Sequence, residues 1–196
     1  MKDKINGGKA WVFGDDIDTD QLAPGRFMKA SISELASHCL EGINEKFATS
    51  VKTGDVLVAG KNFGIGSSRE QASQALKHLG VSALVAQSYG GIFFRNAINF
   101  GLLAVVCTQA KSIQQGDEIS INSEIGTVRN LTRNETYVCE KLPSQLLDIL
   151  KHGGLIPHLE KTLKEKEQMD QSIREKTIEQ LPPNGGRFSL PTESRA

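Results

Sequence analysis

Between positions 60 and 70 the chain reads Gly60-Lys61-Asn62-Phe63-Gly64-Ile65-Gly66-Ser67-Ser68-Arg69-Glu70. The four residues before it, Val56-Leu57-Val58-Ala59, are an apolar run of the length and kind that a sheet buries. After it, Ala72, Ala75, Leu76 and Leu79 recur at helical spacing, and Gly80 stands where helices are commonly closed. A glycine-rich turn therefore joins a strand to a helix, and it carries two hydroxyls and a guanidinium. The first N–H groups of a helix lack partners within it, and the macrodipole places partial positive charge there. Arg69 adds a permanent charge whose planar fork matches a carboxylate or a phosphate. Two readings stand side by side. Either Ser67 or Ser68 caps the helix, or the turn cradles an anion, with the glycines admitting a close approach of the backbone to the ligand.

The pattern repeats downstream. Ala83-Leu84-Val85-Ala86 is a strand, Gly90-Gly91 opens a helix from Ile92 to about Phe100, Gly101 ends it, and Leu102-Leu103-Ala104-Val105-Val106 is the next strand. Strands and helices alternating at this spacing predict parallel βαβ units in an α/β fold. Their unbroken apolar character predicts a sheet covered on both faces. Ligands in such sheets bind beyond the carboxyl ends of the strands, and the 60–70 turn lies at such an end.

Upstream, Lys9 to Phe13 is a strand candidate running into Asp15, Asp16, Asp18 and Asp20. A calcium loop would need a central glycine and a closing glutamate, which are missing. A solvated loop or an Asx turn remains. Ser31-Ile32-Ser33-Glu34 is a capping box opening a helix through about Leu40, with Leu35, Ala36, Cys39 and Leu40 facing inward. Beyond Cys107 the character changes to short antiparallel strands around residues 119–121, 126–129 and 135–138. Pro143 opens a helix through Leu150, closed by Gly153-Gly154. Leu159 to Leu181 is charge-rich and helical, with a thin apolar face of Leu159, Leu163, Met169 and Ile173. Residues 181–196 read as a disordered tail.

With 196 residues the chain can bury a core without disulfides. Its formal net charge of zero gives no bulk pull toward nucleic acid or membrane, and 6% aromatics do not make a single-strand binding surface. Cys39, Cys107 and Cys139 are far apart and form neither a disulfide framework nor a zinc pattern. They fit a reducing compartment. No apolar run approaches a membrane span, no signal core is present at the N-terminus, and a cytoplasmic location is expected. The turn itself is no dinucleotide fingerprint, because the third glycine is absent. It is also neither a phosphate loop nor a nucleophile elbow.

Asp18-Thr19-Asp20-Gln21, Phe27-Met28-Lys29, Glu34-Leu35-Ala36-Ser37-His38-Cys39 and above all Asn62 to Glu70 resemble the small subunit of 3-isopropylmalate dehydratase. That family is the detached swivelling domain of the aconitase superfamily, and the likeness runs through Ser88-Tyr89, Cys107 and Gly153-Gly154-Leu155-Ile156-Pro157. It implies a swivelling β/β/α domain over residues 1–157; the charged helix and flexible tail over 158–196 exceed what the resemblance covers. It implies a hydro-lyase active only with a large subunit that carries a 4Fe–4S cluster, none being bound by this chain. Under the resemblance Ser67 is the catalytic base. Ser68, Arg69, Asp20 and Thr19 contact a small di- or tricarboxylic acid, and Phe27, Met28 and Lys29 read its side chain. An apolar substituent suits Phe27 and Met28, whereas Lys29 suits a further carboxylate. Isopropylmalate in leucine biosynthesis, a methylated malate and homoaconitate-like acids remain open, as does a stand-alone anion-binding module.

Overall fold

The computed structural model describes residues 4–179, so the tail expected over 181–196 lies outside the described residues. The chain divides into two units, residues 1–158 and 159–196. In the first, four parallel strands are β1 (Lys4–Val12), β2 (Val56–Ala59), β3 (Ala83–Ala86) and β4 (Leu103–Val106). Their residues were legible as apolar runs because both faces are covered: every residue of β2 and β3 is buried. Between them run α1 (Thr19–Leu22), α2 (Ile32–Ser37), α3 (Phe47–Ser50), α4 (Glu70–His78) and α5 (Gly91–Asn99). The chain steps from β1 to β4 in one direction across the sheet. Right-handed crossovers that all advance the same way lay their helices on one face, and α2, α4 and α5 pack in series there.

The antiparallel strands β5 (Glu118–Asn122), β6 (Thr127–Asn130) and β7 (Glu135–Val138) follow on the other side of β1. The order is β4-β3-β2-β1-β5-β6-β7, with β1 shared: its end pairs with β2 and its start with β5. A register shift between Ile5 and Gly8 separates the two halves of β1. In β5 burial alternates, with Ile119 and Ile121 inward, as a one-faced strand requires. The sheet then curls round. Past β7 the Glu140 amide donates to the Val106 carbonyl of β4 at 3.0 Å, so the two outer edges meet in a half-barrel.

Phe47, Phe63 and Phe93 are fully buried, each worth about 2–3 kcal/mol of apolar burial. Asp117 anchors the antiparallel corner by accepting from the Gln114 amide (2.9 Å), Asn130 Nδ2 (2.7 Å) and Arg133 Nε (3.0 Å). Burial alone would raise its carboxyl. These hydrogen bonds outweigh that and hold it below the usual carboxylate range.

Three boundaries differ from the sequence reading. Ser31 does cap α2, its hydroxyl accepting from the Glu34 amide at 3.2 Å, but α2 ends at Ser37. The chain then turns until Leu40 takes a positive φ of 60°, which carries its side chain into the core. Leu35, Ala36, Cys39 and Leu40 all face inward, as expected. The one-turn α3 carries no periodic signal and was not anticipated. Near the end, α6 (Ser144–Lys151) is followed by a single helix α7 (Leu155–Glu179). Pro157 sits in the first turn of α7, where a missing N–H costs nothing.

Candidate active site

The carboxyl ends of β1, β2 and β3 continue into three loops that are sewn together by main-chain bonds. Gly64 N donates to Ile17 O (2.6 Å) and Thr19 N to Ile65 O (2.8 Å). On the other side Phe63 N donates to Ser88 O (3.0 Å) and Gly90 N to Phe63 O (2.8 Å). The 62–67 segment thus lies between its neighbours, joined to them by two isolated parallel bridges, Asp18–Ile65 and Phe63–Tyr89. Its glycines are demanded by the fold rather than by a ligand. Gly64 has φ +76°, and a Cβ there would lie 2.2 Å from the ring of Phe93. Gly66 has φ +107° and sits against the Thr19 hydroxyl.

Neither serine caps the following helix. α4 begins at Glu70, its N-cap is Arg69, and no side chain caps it, so the capping reading falls. Ser67 and Ser68 are exposed. Ser67 is gripped from behind by Thr19, which is fully buried. The Ser67 amide donates to Thr19 Oγ1 at 3.0 Å, and the two hydroxyl oxygens are 3.1 Å apart. Thr19, expected to face the substrate, turns instead toward the serine. Asn96 on α5 reaches the Ser68 carbonyl at 3.5 Å.

Arg69 is paired with Asp20, and the same Nη1 donates to the Ala23 carbonyl at 3.2 Å. The pair spans the two loops at the site's rim: Asp20 lines a cleft of about 510 Å³, together with Asp18, Gln21, Gly25, Arg26 and Glu41. The other carboxylates of the acidic run hold the structure. Asp15 accepts from the Lys61 amide (2.8 Å) and Lys111 Nζ (2.9 Å). The Lys111 ammonium, followed by that amide, keeps its carboxyl low. Asp16 accepts from Asn62 Nδ2 at 2.8 Å. Asp18 and Gln21 form a reciprocal capping box on α1.

The 27–29 triplet is divided by the structure. Phe27 stacks on His38, with ring centroids 3.7 Å apart and planes 6° from parallel, and the Arg26 guanidinium lies over the Phe27 ring, 4.8 Å from its centroid. Glu41 ties this stack down, accepting from Arg26 and contacting His38 Nδ1 at 2.6 Å. The His38 contact, together with the Arg26 charge, lowers the Glu41 carboxyl. Phe27 and Met28 pack against the core, and Lys29 is exposed. Arg26, His38 and Glu41 were not read from the sequence as site residues. Their link is a stack and an ion pair across separate loops, which no spacing announces.

The cysteines do not fit an iron–sulfur cluster. Cys39 lies alone in the core, where burial pushes its thiol far up. Cys107 and Cys139 are buried at the edge where β4 meets the segment after β7. Among the described residues no group of three or more metal-binding side chains is gathered, and no helix is long and apolar enough to cross a membrane.

Residues 13–110 match the aconitase C-terminal domain family. The chain is 48% identical over 157 residues to the methanogen homoaconitase small subunit of Methanothermobacter thermautotrophicus, covering 80% of this chain and 91% of that one. It is 47% identical over 156 residues to 3-isopropylmalate dehydratase small subunit 1 of Thermotoga maritima, covering 79% and 94%. The crystal structure of 3-isopropylmalate dehydratase from Methanocaldococcus jannaschii superposes with a TM-score of 0.80 at 42% identity, over 85% of this chain and 99% of that chain. With its curled mixed sheet, its serine turn at the strand ends and relatives covered over nearly their whole length, this chain belongs to the family of 3-isopropylmalate dehydratase small subunits, built on the aconitase C-terminal domain.

Proposed function

We propose that this chain supplies half of the active site of a hydro-lyase that isomerises a substituted malate, with 3-isopropylmalate and 2-isopropylmalate, in leucine biosynthesis, as the first assignment. Homoaconitate-like acids and methylated malates are the alternatives. One observation carries the reading: an exposed Ser67 hydroxyl held from behind by a buried Thr19 hydroxyl. A serine is a poor base unless its alkoxide is stabilised. Across the 3.1 Å contact either hydroxyl can donate while Ser67 is neutral. Once Ser67 is ionised only Thr19 can, so its proton then points at the negative oxygen. Ser67 takes the proton from the carbon beside a carboxylate. The C–H pair becomes the double bond, and hydroxide leaves the adjacent carbon. Water returns in the opposite sense to give the isomer.

Arg69 uses Nη1 for Asp20 and Ala23. Its Nε–Nη2 edge and the Ser68 hydroxyl are the groups offered to a substrate carboxylate. Asp20 holds that guanidinium in place. Lys29, exposed beside the packed Phe27 and Met28, is the side chain of the triplet offered to the variable substituent.

A Lewis acid for the leaving hydroxyl is a job this chain's three buried cysteines, of which only Cys107 and Cys139 are neighbours, do not fill. We assign it to a 4Fe–4S cluster on a large partner subunit. The test is reconstitution. The purified chain alone is expected to be inert, and addition of a cluster-loaded large subunit is expected to restore hydration of a panel of unsaturated diacids. Tight carboxylate binding by the chain alone in calorimetry, with no activity on pairing, would establish the stand-alone anion-binding reading instead.

A further inference from the structure

Cys107 and Cys139, unused by the chemistry above, sit where the curled sheet closes. The strands on either side run in opposite senses: β4 is parallel to β3, β2 and β1, and β5, β6 and β7 each reverse the one before. The Glu140 amide donates across the junction to Val106 O. The neighbouring amides point away from it, Cys107 N to Ala86 O and Cys139 N to Gly126 O, each at 2.8 Å. Cys107 and Cys139 therefore occupy the adjacent non-hydrogen-bonded position of an antiparallel pair. There the side chains share one face and the Cα atoms approach to about 4.5 Å, within the range a disulfide accepts. Both side chains are buried, at 0% and 8% exposure. The Cys139 thiol donates to the Tyr137 carbonyl at 3.8 Å, and the interaction between the two sulfurs lowers the Cys107 thiol and raises that of Cys139. Tyr89 donates its hydroxyl to the Val105 carbonyl of β4 at 3.1 Å, and its ring meets Phe63 of the serine-bearing segment edge-on at 6.0 Å.

We propose that Cys107 and Cys139 are an oxidation site: under a hydroperoxide they form an intrachain disulfide that locks the end of β4 to the segment past β7. The Cys107 thiolate takes the terminal peroxide oxygen, the O–O bond breaks, and an alcohol (or water) leaves, giving a sulfenic acid. The Cys139 sulfur attacks that sulfur, the S–O bond breaks, and hydroxide departs with the Cys139 proton as water. Two thiols lose one electron each, and the two peroxide oxygens gain them.

The experiment treats the folded full-length chain with hydrogen peroxide, blocks remaining thiols with an alkylating reagent, and maps tryptic peptides without reduction. The expected product joins peptide 96–111 to peptide 134–141 with the loss of two hydrogens. Cys39 keeps the alkyl label, and the linked species disappears on adding dithiothreitol. The melting temperature should rise by several degrees on oxidation and fall back on reduction. Cys139→Ser should leave Cys107 as a stable sulfenic or sulfinic acid. The unmodified chain carries the decisive measurement, so a poorly folding variant does not obscure it. Labelling of both Cys107 and Cys139 after unfolding, separate over-oxidation without a link, or links to Cys39 or to a second chain would each overturn the proposal.

Discussion

The two ends of the parallel strands offer opposite kinds of cleft. At the amino end a cavity of about 710 Å³ lies among Gly8, Trp11, Lys52, Gly54 and Asp55. It is larger than the 510 Å³ cleft at the carboxyl end. Yet its one buried carboxylate is already committed: Asp55 accepts from the Lys9 amide (3.3 Å), Trp11 Nε1 (2.9 Å) and the Lys52 amide (2.9 Å). At the carboxyl end the buried groups, Thr19 and the loop amides, are satisfied by one another, while Ser67, Ser68 and Asp20 stand exposed around them. Volume alone would pick the amino end. A site is recognised by polar groups that are held firmly from behind and remain available in front.

Substitutions at four positions press on that contrast. Ser67→Ala, in the reconstituted enzyme, is expected to lower kcat by 10²–10⁴-fold, the span of a lost general base, with unchanged assembly by gel filtration. Turnover within threefold of the parent would break the assignment of the carboxyl end as the site. At the opposite end Asp55→Ala strands three donors and should cost about 2–3 kcal/mol in urea unfolding with kcat untouched. A selective loss of kcat would mean that the amino-end cavity takes part in chemistry. Thr19→Val should reduce kcat about tenfold, roughly 1.4 kcal/mol, and move the pH–rate profile upward with little change in KM. Thr19→Ser should restore both, which a merely packing role would not predict. The smallest effect is expected from Lys29→Leu, a shift of a few-fold in the ratio of kcat/KM between tricarboxylic and isopropyl-bearing acids, read on a substrate panel. No shift would move specificity away from the 27–29 triplet.

The parallel half was legible because burial on both faces leaves continuous apolar runs and each crossover is punctuated by glycine. The antiparallel strands were legible for the complementary reason, an alternation such as that of Ile119 and Ile121. The serine turn could be located from its residues. What its glycines do could not: Gly64 answers to Phe93, some thirty residues later, and Gly66 to Thr19, far earlier. The placement of Thr19 was out of reach of the sequence for a related reason. A motif says which residues are near the chemistry, but only the bridge between Asp18 and Ile65 says which way the hydroxyl turns. The closure of the sheet at Val106 and Glu140 rests on one hydrogen bond between distant residues and has no periodic signature at all.

The serine-bearing segment is stitched to both neighbours largely through N–H and C=O groups, contacts that do not run through the side chains of residues 26–30. Its geometry is therefore insulated from what happens at residues 26–30. If the proposed roles hold, that loop can be rewritten to welcome a bulkier, smaller or charged acid while the Ser67 oxygen stays where it is, and such a scaffold would change diet without relearning its chemistry.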